Sequence, residues 1–238
     1  MGRIGSGNII NKIIQVNGLL MKNLRFEFNG SELLEKNYSQ AGQDLFVLAA
    51  LNGKRNGTYL EVGAGPYAYT NNTFLLETEF NWRGVSVEYN EVYFNDHKSN
   101  RKHHIELVDG TKVDYRELLH RGNIQETNID YLSLDLDNVN TLTALYNIPM
   151  DTHKFATITY EHDAYIYGPI YKEASARYLL EKGYELVVSN ITPNQSEFPN
   201  TGSFEDWWVH PDLVDREIIN RMKSIGEGSK EWNAYIYK

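Results

Sequence analysis

The amino-acid sequence predicts an α/β fold in which helices cover both faces of a mostly parallel, seven-stranded sheet. Three observations predict it. Short apolar segments of strand length recur along the chain, segments with helical periodicity separate them, and glycine or acidic residues follow several of the strands. Ligands of such sheets bind at the carboxyl ends of the strands, so the residues after each strand form the candidate site.

The predicted elements alternate from Ser39 onward. Ser39 is a candidate cap for a helix over residues 43–52, and the glycines at both ends of residues 53–57 predict a turn. The predicted strands cover residues 58–62, 85–88, 105–108, 131–136, 155–160, 184–190 and 234–237. The other predicted helices cover residues 72–80, a segment ending near 100, and residues 115–120, 141–146, 174–182 and 211–224.

A further helix is predicted near the start of the chain. Apolar residues recur at helical spacing between residues 8 and 21, which is typical of an amphipathic helix. Its apolar face is expected to pack on the domain or on a second copy of the chain. A homodimer through this N-terminal helix is therefore one expected arrangement.

The composition narrows the class of protein. Hydrophobic residues make up 41% of the chain and charged residues 23%, as in ordinary globular proteins. A net charge of −9 argues against nucleic acid and anionic membranes as partners. The lack of cysteine excludes disulfide scaffolds, zinc–thiolate sites and thiol catalysis. The apolar run at 45–51 is too short to cross a membrane, and the first residues lack a signal-peptide core, so we expect a soluble, cytoplasmic protein without membrane insertion.

Residues after the first three predicted strands form a candidate nucleotide-type site. Gly63 and Gly65 follow the first strand, where glycine allows a sharp turn and close approach of a ligand. Glu88 ends the second strand, where an acid can accept both hydroxyls of a ribose. Asp109 and Gly110 end the third, where an acid can meet an adenine amino group. Each residue alone is more often part of an ordinary turn, but together they indicate a cofactor that contains adenosine.

Acidic residues crowd the ends of the fourth and fifth predicted strands. Asp135 and Asp137 follow the fourth, and Glu161, His162 and Asp163 follow the fifth. Adjacent parallel strands would bring four carboxylates and one imidazole to one rim, which is costly unless a cation or a proton lies among them. Oxygen ligands with one imidazole suit Mg²⁺ or Mn²⁺. The alternative is that one or two of the acids cap helices while the others face solvent.

Two adjacent tryptophans, Trp207 and Trp208, stand beside acids in a segment expected to be a loop after the sixth strand. They could form a platform for the face of a sugar ring, or they could anchor the core. His97, His103 and His104 are expected at the surface.

Several separated segments resemble the FkbM-type methyltransferases and occur in the same order. They are YSQAGQD at 38–44, YLEVGA at 59–64, NTFLLE at 72–77, WRGVSVE at 82–88, DYLSLDLD at 130–137 and ITYEHD at 158–163. The resemblance covers residues 38–215. We therefore expect a methyltransferase domain over residues 38–238 and an N-terminal helical extension over residues 1–37.

The resemblance implies the Rossmann-like fold of class I methyltransferases, with S-adenosylmethionine (SAM) as cofactor. By this analogy Glu61, Gly63 and Ala64 flank the methionine part, while Gln43 and Asn72 close the pocket. The full set of expected cofactor-binding residues is Gln43, Glu61, Gly63, Ala64, Gly65, Asn72, Glu88, Asp109, Gly110 and Asp135.

Related sugar O-methyltransferases are similar in carrying Asp-x-Asp after the fourth strand and a second acidic pair further on. That similarity implies a divalent metal bound by Asp135, Glu161 and Asp163, with Asp137 as the base. His162 is the other candidate catalytic residue.

The expected function is SAM-dependent O-methylation of a sugar hydroxyl on a glycan or glycoconjugate, assisted by Mg²⁺ or Mn²⁺. Tyr165 and Tyr167, with the two tryptophans, are candidate acceptor contacts. One alternative is a metal-independent enzyme that methylates a lipid or natural-product hydroxyl. A nicotinamide-dependent oxidoreductase is less favoured because Ala68 occupies the third glycine position of G-x-G-x-x-G. A non-catalytic module remains open because Pro66 and Tyr67 occupy the cofactor loop.

Overall fold

The computed structural model describes residues 23–137, 139–225 and 230–238. The helix expected within residues 8–21, and the dimer contact through it, lie outside the described residues. Within them, no helix combines the length and the apolar character needed to cross a membrane.

A single sheet organises the described residues. Its strands are β1 (Thr58–Val62), β2 (Arg83–Glu88), β3 (His104–Leu107), β4 (Asn128–Leu134), β5 (Lys154–Glu161), β6 (Glu185–Thr192), β7 (Glu205–Val209) and β8 (Lys230–Glu231). They lie in the order β3-β2-β1-β4-β5-β7-β6-β8. The strands β1 to β5 pair in parallel, and β7 runs antiparallel to both β5 and β6. The predicted mostly parallel, Rossmann-like sheet is confirmed, and it has eight strands, of which β8 adds two residues parallel to β6.

Helices connect the strands and cover the sheet. They are α1 (Gln43–Ala50), α2 (Phe74–Phe80), α3 (Glu91–Asn100), α4 (Tyr115–Arg121), α5 (Val139–Asn147), α6 (Ala164–Tyr167), α7 (Ile170–Glu181), α8 (Arg216–Lys223) and α9 (Asn233–Ile236). The first residues of α3, α4 and α8 are fixed by Asn90, Asp114 and Asp215, whose side chains each accept a hydrogen bond from the backbone N–H two residues on. These bonds satisfy N–H groups that have no partner within the helix.

The core forms a layer on each face of the sheet. Successive side chains of a strand point to opposite faces, so Tyr59 packs in one layer and Leu60 in the other. Trp207 and Trp208 divide in the same way along β7. The ring of Phe46 on α1 stacks on Trp207 with 4.6 Å between the ring centroids.

The two tryptophans therefore anchor the core. Trp207 and Trp208 are each 1% exposed and belong to β7, not to a loop. The expectation of a sugar platform at this pair is wrong, because the antiparallel strand places one ring in each layer.

The last predicted strand is also wrong. Residues 234–237 read as a strand because of their tyrosines and isoleucine, but the structure forms α9 there. Tyr235 and Ile236 are buried in the same layer as α1. The helix expected over residues 211–224 begins only at Arg216, after the Asp215 cap.

Candidate active site

A cleft of about 410 Å³ opens at the carboxyl ends of β1, β2, β4 and β5. We call it the strand-end cleft. The expected cofactor-binding residues that line it are Glu61, Gly63, Ala64, Gly65, Asn72, Glu88 and Asp135. Sequence analysis missed Gln40, Thr70, Tyr89, Asn90 and Tyr93, which also line it. Tyr89 follows Glu88 directly, and Tyr93 lies one helical turn further. The sequence just after β2 could therefore have indicated that these tyrosines line the same cleft as Glu88.

The two glycines of the loop after β1, which we call the glycine loop, have different roles. Gly63 has φ +85°, and a Cβ there would lie 1.8 Å from the carbonyl oxygen of Asp135. Gly65 has φ +58°, and no atom lies within 4 Å of the place that its Cβ would occupy. Gly63 therefore allows the strand ends to approach each other, whereas Gly65 leaves backbone open to the cleft for a ligand.

Glu88 is held rigidly at the end of β2. Its Oε2 accepts a hydrogen bond from the Gly65 backbone N–H at 2.8 Å, and its Oε1 accepts one from the Asn90 N–H at 2.6 Å. Each carboxylate oxygen can accept a second hydrogen bond. The carboxylate is thus fixed in place and still able to accept the two hydroxyls of a ribose.

Glu61 supports the wall of the cleft from within β1. Its Oε1 accepts hydrogen bonds from Asn71 Nδ2 at 3.1 Å and Thr73 Oγ1 at 3.0 Å, and its Oε2 accepts one from Ser86 Oγ at 2.6 Å. Burial raises the pKa of the Glu61 carboxyl to about 7, against the opposing influence of the Arg101 charge. Its hydrogen bonds connect β1, β2 and the segment before α2.

Arg101, just after α3, is the centre of this buried network. Its side chain is 1% exposed and donates to Glu77 Oε2 at 2.8 Å, to Asn71 Oδ1 at 3.0 Å and to Thr73 Oγ1 at 3.0 Å. It also donates to the Tyr67 carbonyl at 3.0 Å. The Arg101 guanidinium therefore links the glycine loop after β1 to the start of α2.

Two histidines expected at the surface belong to the same network. His103 Nδ1 lies 3.1 Å from Glu77 Oε2, and His97 Nε2 lies 3.0 Å from the Gly65 carbonyl oxygen. Burial lowers the pKa of His97 to about 4, so its ring is neutral near pH 7. The expectation that His97 and His103 are surface residues is wrong because they are polar partners for this network, whereas His104 is partly exposed.

Carboxyl groups gather on the side of the cleft formed by β4 and β5, as predicted. The carboxyl groups of Asp135 and Glu161 are close neighbours at the ends of the paired strands β4 and β5. Burial raises the pKa of Asp135, and the charges of Asp137 and Glu88 add to the effect. Burial and the charge of Asp135 raise the pKa of Glu161 well above its usual value. Burial raises the pKa of Asp163 to about 6, and the charges of Asp135 and Asp137 add to the effect. Asp137 is exposed and lines the cleft.

Sequence analysis missed one member of this group, Glu205. It is the register partner of Glu161 across β5 and β7 and is fully buried. Gln43 Nε2 donates to its Oε2 at 3.1 Å, and Trp207 Nε1 donates to its Oε1. Burial raises the pKa of Glu205 to about 8. We call Asp135, Asp137, Glu161, Asp163 and Glu205 the carboxylate rim.

Three expected cofactor-binding residues do not line the strand-end cleft. Gln43 is buried behind Glu205, and its Oε1 accepts from the Ala41 backbone N–H at 2.7 Å. Asp109 caps the turn Gly110–Lys112 and lies 2.9 Å from Lys112 Nζ. Gly110 is buried, and a Cβ there would lie 2.9 Å from a methyl group of Val62. The cleft wall on this side is formed by the tyrosines after β2 instead.

The structure also places His162 away from the cleft. Its ring is fully buried, its Nδ1 accepts from the Ala164 backbone N–H at 3.1 Å, and its Nε2 lies 3.4 Å from Asp206 Oδ1. Lys172 Nζ lies 3.2 Å from the same Asp206 oxygen. His162 therefore orders the turn after β5 and does not line the strand-end cleft, which contradicts the expectation of a catalytic role.

The expected metal set does not fit the structure. Within residues 23–137, 139–225 and 230–238, no three side chains of His, Asp or Glu are grouped as ligands of a metal ion. Asp163 lies in a left-handed conformation, with φ 50°, where it begins α6. Within the described residues, Asp135, Glu161 and Asp163 therefore do not form a grouped set of metal ligands.

The arrangement brings three chemical capabilities together. Open backbone at Gly65 and the fixed Glu88 carboxylate suit a polar, ribose-containing ligand. The carboxylates of Glu88 and Asp137 favour positive charge in the cleft. The exposed carboxylate of Asp137 can accept a proton from a bound hydroxyl.

Comparisons with known proteins give similarities of fold only. No family model matches the chain, and no curated protein matches it. The O-methyltransferase from Bacillus cereus in complex with SAH is 15% identical with a TM-score of 0.48, over 87% of this chain and 93% of that one. TrmK of M. capricolum in complex with S-adenosyl-homocysteine is 11% identical with a TM-score of 0.46, over 72% and 70% of the two chains. Fibrillarin of Aeropyrum pernix with bound S-adenosyl-L-methionine is 13% identical with a TM-score of 0.44, over 66% and 67%.

Proposed function

We propose that this protein is a SAM-dependent methyltransferase that methylates a hydroxyl group of a sugar or glycan. The observation that carries the proposal is the pairing of the open Gly65 backbone with the fixed Glu88 carboxylate at the carboxyl edge of the sheet. The motifs that resemble the FkbM-type family support the same assignment. They are the segments that build this edge.

The cleft fits the cofactor chemically. SAM carries a sulfonium, an ammonium and a carboxylate, so its net charge at neutral pH is positive, which suits a wall that contains the carboxylates of Glu88 and Asp137. Asn72 Nδ2 donates to Ser133 Oγ at 3.0 Å, but the buried Asn72 Oδ1 has no hydrogen-bond partner among the described residues. A buried carbonyl oxygen without a partner is costly, and a ligand amino group would satisfy it.

The chemistry needs a base as well as a methyl donor. Bound SAM would supply a methyl group on a positively charged sulfur, which makes the methyl carbon a strong electrophile. The acceptor hydroxyl must lose its proton as its oxygen bonds to that carbon. Asp137 lines the cleft and is exposed, so we assign it to accept this proton.

No step is assigned to a metal ion, because the described acids do not form a set of ligands. Turnover measured with and without EDTA distinguishes this mechanism from the metal-assisted mechanism expected from the related sugar enzymes. Turnover that requires Mg²⁺ or Mn²⁺ would support the metal-assisted mechanism, and turnover that is insensitive to EDTA supports Asp137 acting alone.

The acceptor is proposed to be neutral. The net charge of −9 and the exposed carboxylate of Asp137 at the cleft repel phosphate groups, which disfavours nucleic acid. A sugar hydroxyl brings no negative charge to this edge of the sheet.

The decisive experiment is calorimetric titration with S-adenosylhomocysteine, in the presence of Mg²⁺ and again with EDTA. We expect saturable one-site binding in both buffers, because the cofactor contacts proposed here involve no metal. Absence of binding in both would overturn the methyltransferase assignment. The same titration with NAD⁺ is the control, and binding of NAD⁺ alone would favour an oxidoreductase.

A further inference from the structure

We propose that a second cavity beside the strand-end cleft binds the acceptor, and that its occupant is a neutral, polyhydroxylated ring. This inference rests on the proposed function, since it assigns the acceptor site of that reaction. The cavity has a volume of about 520 Å³. We call it the aromatic groove, after Tyr38, Tyr69, Phe198, Trp232 and Tyr237, which line it.

The groove and the cleft share a wall. Gln40 and Thr70 line both cavities. Ser39 pairs with Thr70 in an isolated parallel bridge, so the segment before α1 and the cofactor loop are joined at this wall. Methyl transfer requires the two reacting atoms to lie within about 3.5 Å of each other, so an acceptor site must adjoin the cofactor site. The aromatic groove meets that requirement.

The shared wall contains a strained residue. Thr70 has φ 59°, a left-handed conformation that is unfavourable for a β-branched side chain. The Ser39 bridge holds the backbone, and Thr70 Oγ1 donates to the Tyr69 carbonyl at 2.7 Å. Strain of this kind persists where the surrounding structure imposes it, and it concentrates at ligand sites. Here it turns Tyr69, which is 68% exposed, toward solvent at the groove.

The lining of the groove identifies the class of ligand. Apolar ring faces stack on the C–H faces of sugar rings, and the side-chain amides of Asn37, Asn194 and Asn233 can bond to hydroxyls in either direction. Among the described lining residues, the charged side chains are one cation, Lys36, and one anion, Glu197. The Lys36 ammonium lies 4.6 Å from the centre of the Tyr38 ring, where it already has a partner. The groove therefore lacks the clustered cations that a phosphate or a nucleic acid would require.

One wall is pre-formed by packing. A Cβ at Gly42 would lie 2.5 Å from the Trp232 ring, so only glycine lets that ring lie against the start of α1. Gly42 also has φ +76°. The rigid indole can receive a ring without reorganisation, which lowers the cost of binding.

The test uses the full chain with saturating S-adenosylhomocysteine. Methyl glycosides of glucose, galactose, mannose and rhamnose are the probes, each titrated separately by saturation-transfer NMR. We expect at least one glycoside to bind. Tyr69→Ala and Phe198→Ala should each weaken that glycoside about tenfold, because each removes one stacking face. Their affinity for S-adenosylhomocysteine should be unchanged.

Tyr146→Ala is the matched control. Tyr146 is an exposed tyrosine on α5, outside both cavities, and its removal should leave glycoside binding unchanged. Binding of S-adenosylhomocysteine without any glycoside signal, or with glycoside binding unaffected by both groove variants, would overturn this proposal alone. Failure of S-adenosylhomocysteine to bind the parent protein would instead overturn the proposed function.

Discussion

Two acids at the same edge of the sheet are held in opposite ways. Glu88 is buried, and a backbone N–H binds each of its carboxylate oxygens, so its position is fixed before any ligand arrives. Asp137 is exposed, three residues beyond the end of β4. A rigid carboxylate suits recognition, because little conformational entropy is lost on binding. An exposed carboxylate suits proton transfer, because it can pass the proton to water.

Replacing Glu88 should weaken cofactor binding. In Glu88→Ala, the acceptor for two ribose hydroxyls is lost and the Gly65 N–H loses its partner. We expect affinity for S-adenosylhomocysteine to fall by about 10- to 100-fold, as for loss of two charge-assisted hydrogen bonds. Calorimetry measures this directly. Glu91→Ala, on the exposed start of α3, is the control, and equal affinities for the two variants would remove Glu88 from the site.

Replacing Asp137 should separate chemistry from binding. Asp137→Ala removes the proposed base, so turnover should fall by about 100-fold or more. S-adenosylhomocysteine should still bind, because the fixed contacts at Glu88 and Gly65 remain. Asp137→Asn gives the same loss if the carboxylate charge is required. A variant with normal turnover would exclude Asp137 as the base.

At the scale of elements, the loop after β1 shows how one motif combines a packing role and a binding role. Gly63 is placed where the Asp135 carbonyl oxygen excludes any side chain, and Gly65 is placed where nothing does. Both have positive φ. Substitutions at Gly63 and Gly65 therefore test packing and ligand binding separately.

We expect Gly63→Ala and Gly65→Ala to have different consequences. Gly63→Ala forces a clash at the junction of β1 and β4 and should lower the free energy of unfolding by about 2–4 kcal/mol. Gly65→Ala should cost only about 1–2 kcal/mol for the left-handed backbone. Its methyl group would project into the cleft and weaken S-adenosylhomocysteine. Denaturant unfolding and calorimetry measure the two effects, and a Gly65 variant with full affinity would contradict the placement of the cofactor.

Strand β7 is the element that completes the carboxylate rim. It inserts antiparallel between β5 and β6 and sets Glu205 directly across from Glu161. Without this insertion, Glu161 would face a different neighbour and the rim would lack its most deeply buried acid. The position of one strand in the sheet therefore determines the electrostatics of the site.

For the whole molecule, buried ionisable groups make stability depend on pH in opposing directions. Burial raises the pKa of Glu61 to about 7, above its ordinary value of 4.5. Hydrogen bonding to His103 and the Arg101 charge lower the pKa of Glu77 to about 2, although burial opposes them. The folded state therefore binds more protons than the unfolded state at Glu61 between pH 4.5 and 7, and fewer at Glu77 between pH 2 and 4.5. The contribution of Glu61 to the free energy of unfolding therefore decreases as pH rises from 4.5 to 7. The contribution of Glu77 decreases as pH falls from 4.5 to 2.

Glu61→Gln isolates the first of these effects. The variant lacks the ionisation that destabilises the parent above pH 4.5, so its stability relative to the parent should increase between pH 4.5 and 7. The expected increase is on the order of 3 kcal/mol, from the shift in the Glu61 pKa. Denaturant unfolding at half-unit pH intervals measures it. Glu91→Gln on exposed α3 is the control, and a difference between Glu61→Gln and the parent that does not change with pH would exclude the raised pKa.

Much of the fold could be predicted because its signals are local. The strand at 58–62 agrees with β1 at both ends, since an apolar segment lies between two turns rich in glycine. The helices after β2 and β3 were predicted close to their observed positions, Glu91–Asn100 and Tyr115–Arg121. The meeting of Asp135 with Glu161 was also predictable, because the ends of adjacent parallel strands lie at one edge.

By itself, the sequence determined the alternation of strands and helices, the glycine loop, the acid at the end of β2 and the acids after β4 and β5. These depend on periodicity and on neighbours along the chain. Only the tertiary structure decided that Trp207 and Trp208 lie in the core, that His97 contacts the glycine loop after β1, and that Glu205 joins the rim. Only it brought residues 36–40 and 232–237 together around one groove. The physical reason is that burial and charge environment depend on which distant segments pack together, and no local pattern encodes the insertion of β7 between β5 and β6.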